Sequence, residues 1–143
     1  MAYAIVEDLI ARFGEVDVIR LSAPEGQLDG MVDQARVILA LDSASALIDS
    51  YLRRRYATPL SPVPPEIKDT CCTLARYELA RGEQKTPSEQ MREEHKATLT
   101  WLRMIADGTV FLDAALAGAT APAVAGARVS DRARDFAAGP GLP

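Results

Sequence analysis

VILALDSASALIDSYLRRRYATPLSPVPP, Val37 to Pro65, holds both a helical stripe and the strap that ends it. At about 100° per residue, Val37, Ala40, Leu41, Ala44, Ile48, Tyr51 and Leu52 fall on one side, with Leu47 at the edge. This spacing predicts an amphipathic helix. Asp49 and Arg53 form an i,i+4 pair in the favourable order, which contributes only ~0.2–0.5 kcal/mol. The apolar stripe, not the pair, anchors the helix. Arg53, Arg54 and Arg55 fall in the last turn, where cations complement the negative helix end, and Pro59 forbids continuation, so the helix is expected to stop near Tyr56. Pro59, Pro62, Pro64 and Pro65 predict a stiff extended crossing, and the last two pre-set the backbone for a new helix.

Towards the N-terminus, Ile5, Leu9, Ile10 and Phe13 have helical spacing, Glu7 and Asp8 lie in the first turn, and Gly14 is a natural stop. Val16 to Leu21 predicts one or two further turns, and Ser22 to Gly30 reads as a loop. These short pieces are expected to lie as a lid across the main helices. Asp29 or Asp33 is placed to cap the long helix. Leu39 points away from the stripe, with Ala46 near it, and is either an ordinary exposed leucine or a contact for a partner.

Beyond the strap, Ile67, Thr70, Cys71 and Leu74 make one face of a third main element, widened by Cys72, Ala75 and Leu79 into an arc that fits a central helix. Arg81 and Gly82 end it. Glu78 falls on the core-facing stripe and reads either as a carboxylate with a raised pKa or as a residue paired with Arg81. Thr86-Pro87-Ser88-Glu89 has capping-box spacing and starts another helix, whose core face runs through Met91, His95, Leu99, Leu102 and Ile105 to Asp107-Gly108. His95, the sole histidine, reads as a hydrogen-bonded core or boundary residue rather than a ligand or base. Trp101 sits off that stripe and either fills the side of the bundle or meets another subunit.

The 143 residues carry 25% charged side chains and a net charge of −4, with a pI near 5.0. That length fits one domain with a real core, and the acidity argues against a surface that grips duplex phosphates. No apolar run approaches the ~20 residues needed to span a bilayer. MAYAIVEDLI lacks a basic lead segment, so a cytoplasmic protein is expected. Cys71 and Cys72, adjacent in a helical pattern, lack bridging geometry and metal-ligand spacing and read as reduced thiols. Residues 1–112 form the expected helical domain. Residues 113–143 form an Ala/Gly/Pro-rich tail in which VSDRARDF, Val129 to Phe136, reads as a docking motif or as a solvated tail.

No phosphate-cradling loop, zinc spacing, nucleophile elbow or paired catalytic carboxylates can be placed, so neither an enzyme nor a cofactor is expected. An enzymatic reading ranks third and requires a pocket joining Glu78 to His95. The arginine run at 53–55 lacks aromatic interleaving and is a weak nucleic-acid signal. The residues alone give an all-α bundle of about four main helices, with a short N-terminal helical segment and an extended C-terminal tail, acting as an interaction module.

Three stretches carry a resemblance. They are EDLIARFGE at Glu7–Glu15, LDSASALIDSYLRRRYATPLSPVPPEIKDTCCTLARYELA at Leu41–Ala80, and the Trp101-Leu102 helix ending in ADGTVFL. The pattern I-D-S-Y-L-x-x-R-Y-x-x-P-L-x-x-V-P-P, Ile48 to Pro65, is the most specific. Over about residues 3–112 the chain resembles the Mu-like prophage family of small head-tail connector proteins, also termed adaptors or head-completion proteins. It departs from that pattern at Ala4-Ile5-Val6, where the family often has a threonine cap and a proline.

The resemblance implies kinship with helical adaptors that assemble as a ring, commonly twelvefold, beneath a portal in the virion neck. They extend the DNA channel towards a tail-side neck or tail-completion protein, after folding in the bacterial cytoplasm. DNA would pass without sequence-specific binding, and no membrane is involved. Candidate contacts to a neighbouring subunit or the portal are Leu39, Arg53, Arg54, Arg55, Trp101, Arg128, Arg132, Arg134 and Phe136. A ring contact is heterologous, so each copy needs two different patches. The alternative is a cytoplasmic helical regulator or DNA-binding accessory protein.

Overall fold

The computed structural model describes residues 2–24, 30–82 and 85–118. Five helices follow one another: α1 (Val6–Phe13), α2 (Glu15–Ser22), α3 (Gln34–Leu52), α4 (Pro65–Ala80) and α5 (Glu89–Asp107). The all-α bundle expected from periodicity is the fold. α3 and α4 form its most extensive helix pair, α5 packs on both, and α1 and α2 pack on each other and across α3 and α4.

The α3 stripe is buried as its spacing requires: Val37, Ala40, Leu41, Ala44, Ile48 and Leu52 join one core with Ile67, Cys71, Leu74 and Ala75 of α4 and Leu102 and Ile105 of α5. Small residues bring α3 and α4 together. Ser45 Oγ donates to the Leu41 carbonyl at 2.8 Å and lies 3.3 Å from Cys71 Sγ. Both cysteines are free and buried. Burial pushes the Cys72 thiol up to about 12 and raises that of Cys71, so neither is a ready thiolate at neutral pH.

Caps set most helix ends. The Asp33 side chain accepts from the Arg36 N–H at 3.2 Å and starts α3. The Ile5 N–H donates to Asp8 Oδ2 at 3.0 Å, so α1 begins without the threonine cap. Gly14, at φ 92°, ends α1 and turns directly into α2. α5 starts two residues later than the capping-box spacing suggested. Its cap is Ser88, whose Oγ accepts from the Met91 N–H at 3.2 Å, and not Thr86. Just before it, Lys85 Nζ donates to the Leu21 and Ala23 carbonyls at 2.7 and 2.9 Å and ties this segment to the end of α2.

α3 ends at Leu52, earlier than Pro59 demands. The Leu52 carbonyl accepts from the N–H groups of both Arg55 and Tyr56, tightening the chain so that Tyr56 turns into the core. The following strap is not simply extended, since it bends at Thr58-Pro59 and Ser61-Pro62, where both peptides are cis. Its middle is fixed by Tyr3. The Leu60 N–H donates to Tyr3 Oη at 3.0 Å, Tyr3 Oη donates to the Asp49 carboxylate, and the Tyr3 N–H donates to Ser45 Oγ at 2.8 Å.

Asp49 therefore does not serve the i,i+4 pair expected with Arg53. Arg53 Nε reaches the Asp49 backbone carbonyl instead, at 3.3 Å. Burial first, and then the bond to Asp49, push the Tyr3 phenol up to about 12, which keeps it a donor at neutral pH. Tyr3→Phe removes that donor and the acceptor of a buried N–H, and is expected to cost ~1–3 kcal/mol. A urea midpoint unchanged from wild type would refute the clamp.

Candidate functional site

Among the described residues, Glu78 and His95 do not line a common concavity. Glu78 is exposed and bonded to Arg81 at 3.2 Å, so the core-facing position read from its angle is corrected and the paired alternative holds. The concavity it lines with Arg36, Leu39, Ala40, Ser43 and Leu79 does not include His95. His95 is a boundary residue, but it is held by stacking rather than by hydrogen bonding. Its ring lies 3.8 Å from that of Tyr77 at 12°, and its buried Nδ1 has no partner among the described residues.

Burial lowers the His95 pKa below 6.5, and the nearby Arg81 cation adds to this while Glu78 opposes it. The folded chain thus takes up this proton less readily than the unfolded chain. The stability involved is complete above about pH 6.5 and falls as pH drops below it. Urea midpoints measured from about pH 7.5 to about 5 should decline more for wild type than for His95→Gln. Parallel declines would contradict this.

Ion pairs knit the lid to the bundle. Arg76 of α4 meets Asp17 of α2 at 3.2 Å and Glu94 of α5 at 3.7 Å, while its guanidinium sits 4.4 Å over the Phe13 ring. Arg12 meets Asp69 at 3.3 Å. These long-range partners had no local sequence signal.

The three consecutive arginines separate. Arg53 and Arg54 are exposed, whereas Arg55 folds back against the end of α5. Its Cζ lies 5.5 Å from the Phe111 ring, its Nε is buried, and a Cβ at Gly108 would collide with its guanidinium. Gly108, at φ 90°, supplies both the left-handed turn and the room for this cation. Arg55 therefore complements the negative end of α5 rather than that of its own helix, as the sequence had suggested.

Beside it the chain pairs with the strap. The Ala57 N–H donates to the Ala115 carbonyl at 2.9 Å, the Ala117 N–H to the Arg55 carbonyl at 2.8 Å, and Tyr56 bridges antiparallel to Leu116. Residues 115–117, beyond the expected boundary after Leu112, thus lie against residues 55–57.

Among the described residues, Val16, Ile38, Leu39, Leu47 and Met104 are large apolar helix side chains that stay exposed. Leu39 is 68% exposed on α3, and Trp101 and Met104 line a groove of about 460 Å³ on α5 with Glu93, Lys96, Ala97 and Thr100. Trp101 is half-buried: it packs on the core edge, so it fills the side of the bundle, and it also lines this groove. Phe111, 72% exposed, adds a further apolar surface just after α5. Arg128, Arg132, Arg134 and Phe136 lie outside the described residues.

The protein family described as "Bacteriophage Mu, Gp36" matches residues 3–131. This chain belongs to that family. The match runs beyond the described residues and ends at Asp131, the first residue of DRARDF. The chain is 38% identical over 108 residues to "Gene product J" of Escherichia phage Mu, covering 76% of this chain and 74% of that protein. It is also 38% identical over 112 residues to "Mu-like prophage FluMu protein gp36" of Haemophilus influenzae, covering 77% and 74%. Membership of the Mu Gp36 family places the chain among Mu-like phage and prophage proteins, as the Ile48–Pro65 pattern had led one to expect. In this family member that pattern is accounted for physically: Ile48 and Leu52 are core, Asp49 receives Tyr3, and Tyr56 and Leu60 are the buried anchors of the strap.

Proposed function

We propose that this Mu Gp36 family member is a head-tail connector. Copies dock as a ring beneath the portal in the virion neck and extend the DNA channel towards a tail-side neck or tail-completion protein. Before assembly the chain resides in the bacterial cytoplasm.

The observation that carries this reading is that the described domain leaves unlike apolar surfaces exposed on different helices, Leu39 on α3 and the Trp101–Met104 groove on α5. A closed ring requires two unlike patches on every copy. Family membership supports the phage context, and net acidity suits a conduit that lets DNA pass, because each phosphate contact adds salt-sensitive affinity. The alternative of a DNA-binding regulator loses part of its arginine cluster, since Arg55 is engaged at Gly108 and Phe111.

Mixing the full chain with its cognate portal ring, followed by native mass measurement and electron microscopy, tests the proposal. Stoichiometric rings stacked on the portal are expected. A chain that leaves the portal bare, and that binds duplex DNA in a salt-dependent manner lost on neutralising Arg53 to Arg55, would replace this reading with the regulator.

A further inference from the structure

We propose that the Leu39 face of α3 in one copy packs into the Trp101–Met104 groove on α5 of the next copy, as a head-to-tail contact. The inference rests on the ring reading above and supplies its subunit interface.

The groove has the form of a receptor for a helix knob. Ala97, Thr100, Trp101 and Met104 stand at i, i+3, i+4 and i+7, the four-residue diamond into which a side chain from a facing helix inserts. Ala97 and Thr100 are small and leave the opening, while Trp101 and Met104 give it apolar walls. Among the described residues nothing fills it, and Met104 remains 37% exposed.

Leu39 has the form of the matching knob. Around it on the helix surface Ala35, Ser43 and Ala46 are small, with Arg36 and Asp42 on either flank, so a neighbouring helix can approach closely over the small residues. Among the described residues it stays 68% exposed.

Charge selects this pairing over the symmetric ones. On the Leu39 face the exposed Asp42 has no ion pair among the described residues. Lys96 and Arg103, seven residues apart on one flank of the diamond, are likewise exposed and have none. Glu93 closes one end of the groove, leaving the cationic flank for Asp42. Packing α3 on α3 would set Asp42 against its own copy, and packing α5 on α5 would set Lys96 and Arg103 against theirs. The unlike pairing joins opposite charges, and because its two patches differ it repeats from copy to copy until a ring closes.

Cysteine pairing in the full chain bound to its portal tests the contact. Leu39→Cys and Met104→Cys are exposed changes, and the native Cys71 and Cys72 are buried. Under mild oxidation an equal mixture of the two single variants should yield crosslinked dimers, and the doubly substituted chain should yield a ladder ending in a closed ring. Either single variant alone should stay uncrosslinked.

A second arm reverses charge. Asp42→Lys, and separately Lys96→Glu with Arg103→Glu, should each lower the ring fraction by roughly tenfold, and the three changes combined should restore it. Crosslinked dimers from Leu39→Cys alone, or no crosslink although wild-type rings form on the portal, would overturn this contact and leave the connector reading standing. Crosslinking as expected with a portal that stays bare would uphold the contact and overturn the connector. Wild type that remains monomeric beside a bare portal would overturn both.

Discussion

Tyr56→Ala should cost about 3–5 kcal/mol of folding stability, the largest loss expected of a single substitution in this chain. The residue is 1% exposed and is among the largest side chains fully enclosed in the core. Its removal leaves a ring-sized cavity that the flanking backbone resists filling, because Arg55 and Ala57 are both bonded to residues 115–117. The phenol also accepts the buried Leu112 N–H at 2.8 Å, and that donor would be stranded. Tyr56→Phe separates the two effects, since it keeps the ring and should lose only ~1–3 kcal/mol. Urea midpoints with an unchanged denaturant slope would give both values. Equal losses for the two variants would mean that the ring itself contributes little, contrary to its enclosure. The expected consequence reaches beyond stability, because the same pairing carries the exposed Phe111 and Leu116.

Ile48→Ala should destabilise by about 2–5 kcal/mol, while Leu39→Ala on the same helix should stay within about 0.5 kcal/mol. Both remove aliphatic carbons from α3, and only their surroundings differ. Ile48 is 0% exposed between α3 and the rest of the core, whereas Leu39 is 68% exposed. Truncating Ile48 leaves a cavity in a close-packed interior; truncating Leu39 removes surface that water already wets. Thermal and urea unfolding of the two variants would test this directly. A Leu39→Ala loss comparable to that of Ile48→Ala would show that the Leu39 face is covered within the chain itself, removing it as a subunit surface. A stable Leu39→Ala that assembles poorly on the portal is the expected pattern.

The division between legible and illegible features runs along the range of the interactions. Helical spacing in Val37–Leu52 gave the buried stripe, because burial of a helix face depends on residues three and four apart in the same chain. The sites of chain reversal were likewise local: Gly14 and Gly108 both sit at positive φ, and Asp33 caps α3. The exposure of Leu39 was legible for the same reason, as an apolar residue off the stripe.

Errors arose where a local rule competed with a distant partner. Asp49 was assigned to Arg53, four residues on, but Tyr3, forty-six residues away, takes its carboxylate. Thr86 had capping-box spacing, yet the tether from Lys85 to the carbonyls of Leu21 and Ala23 accompanies a start at Ser88.

The sequence by itself determined an all-helical chain, its principal apolar stripes and, through the Ile48–Pro65 pattern, its kinship with Mu-like phage proteins. Only the tertiary structure decided what that pattern holds together. Three residues of one arginine run go to different places, a tyrosine near the N-terminus fixes the proline strap, and the segment after Leu112 pairs with residues 55–57. Each of these is a contact between residues dozens of positions apart, whose free energy appears only once other packing has brought them together. The groove along α5 likewise shows only in the folded chain, because it depends on which faces the other described helices cover.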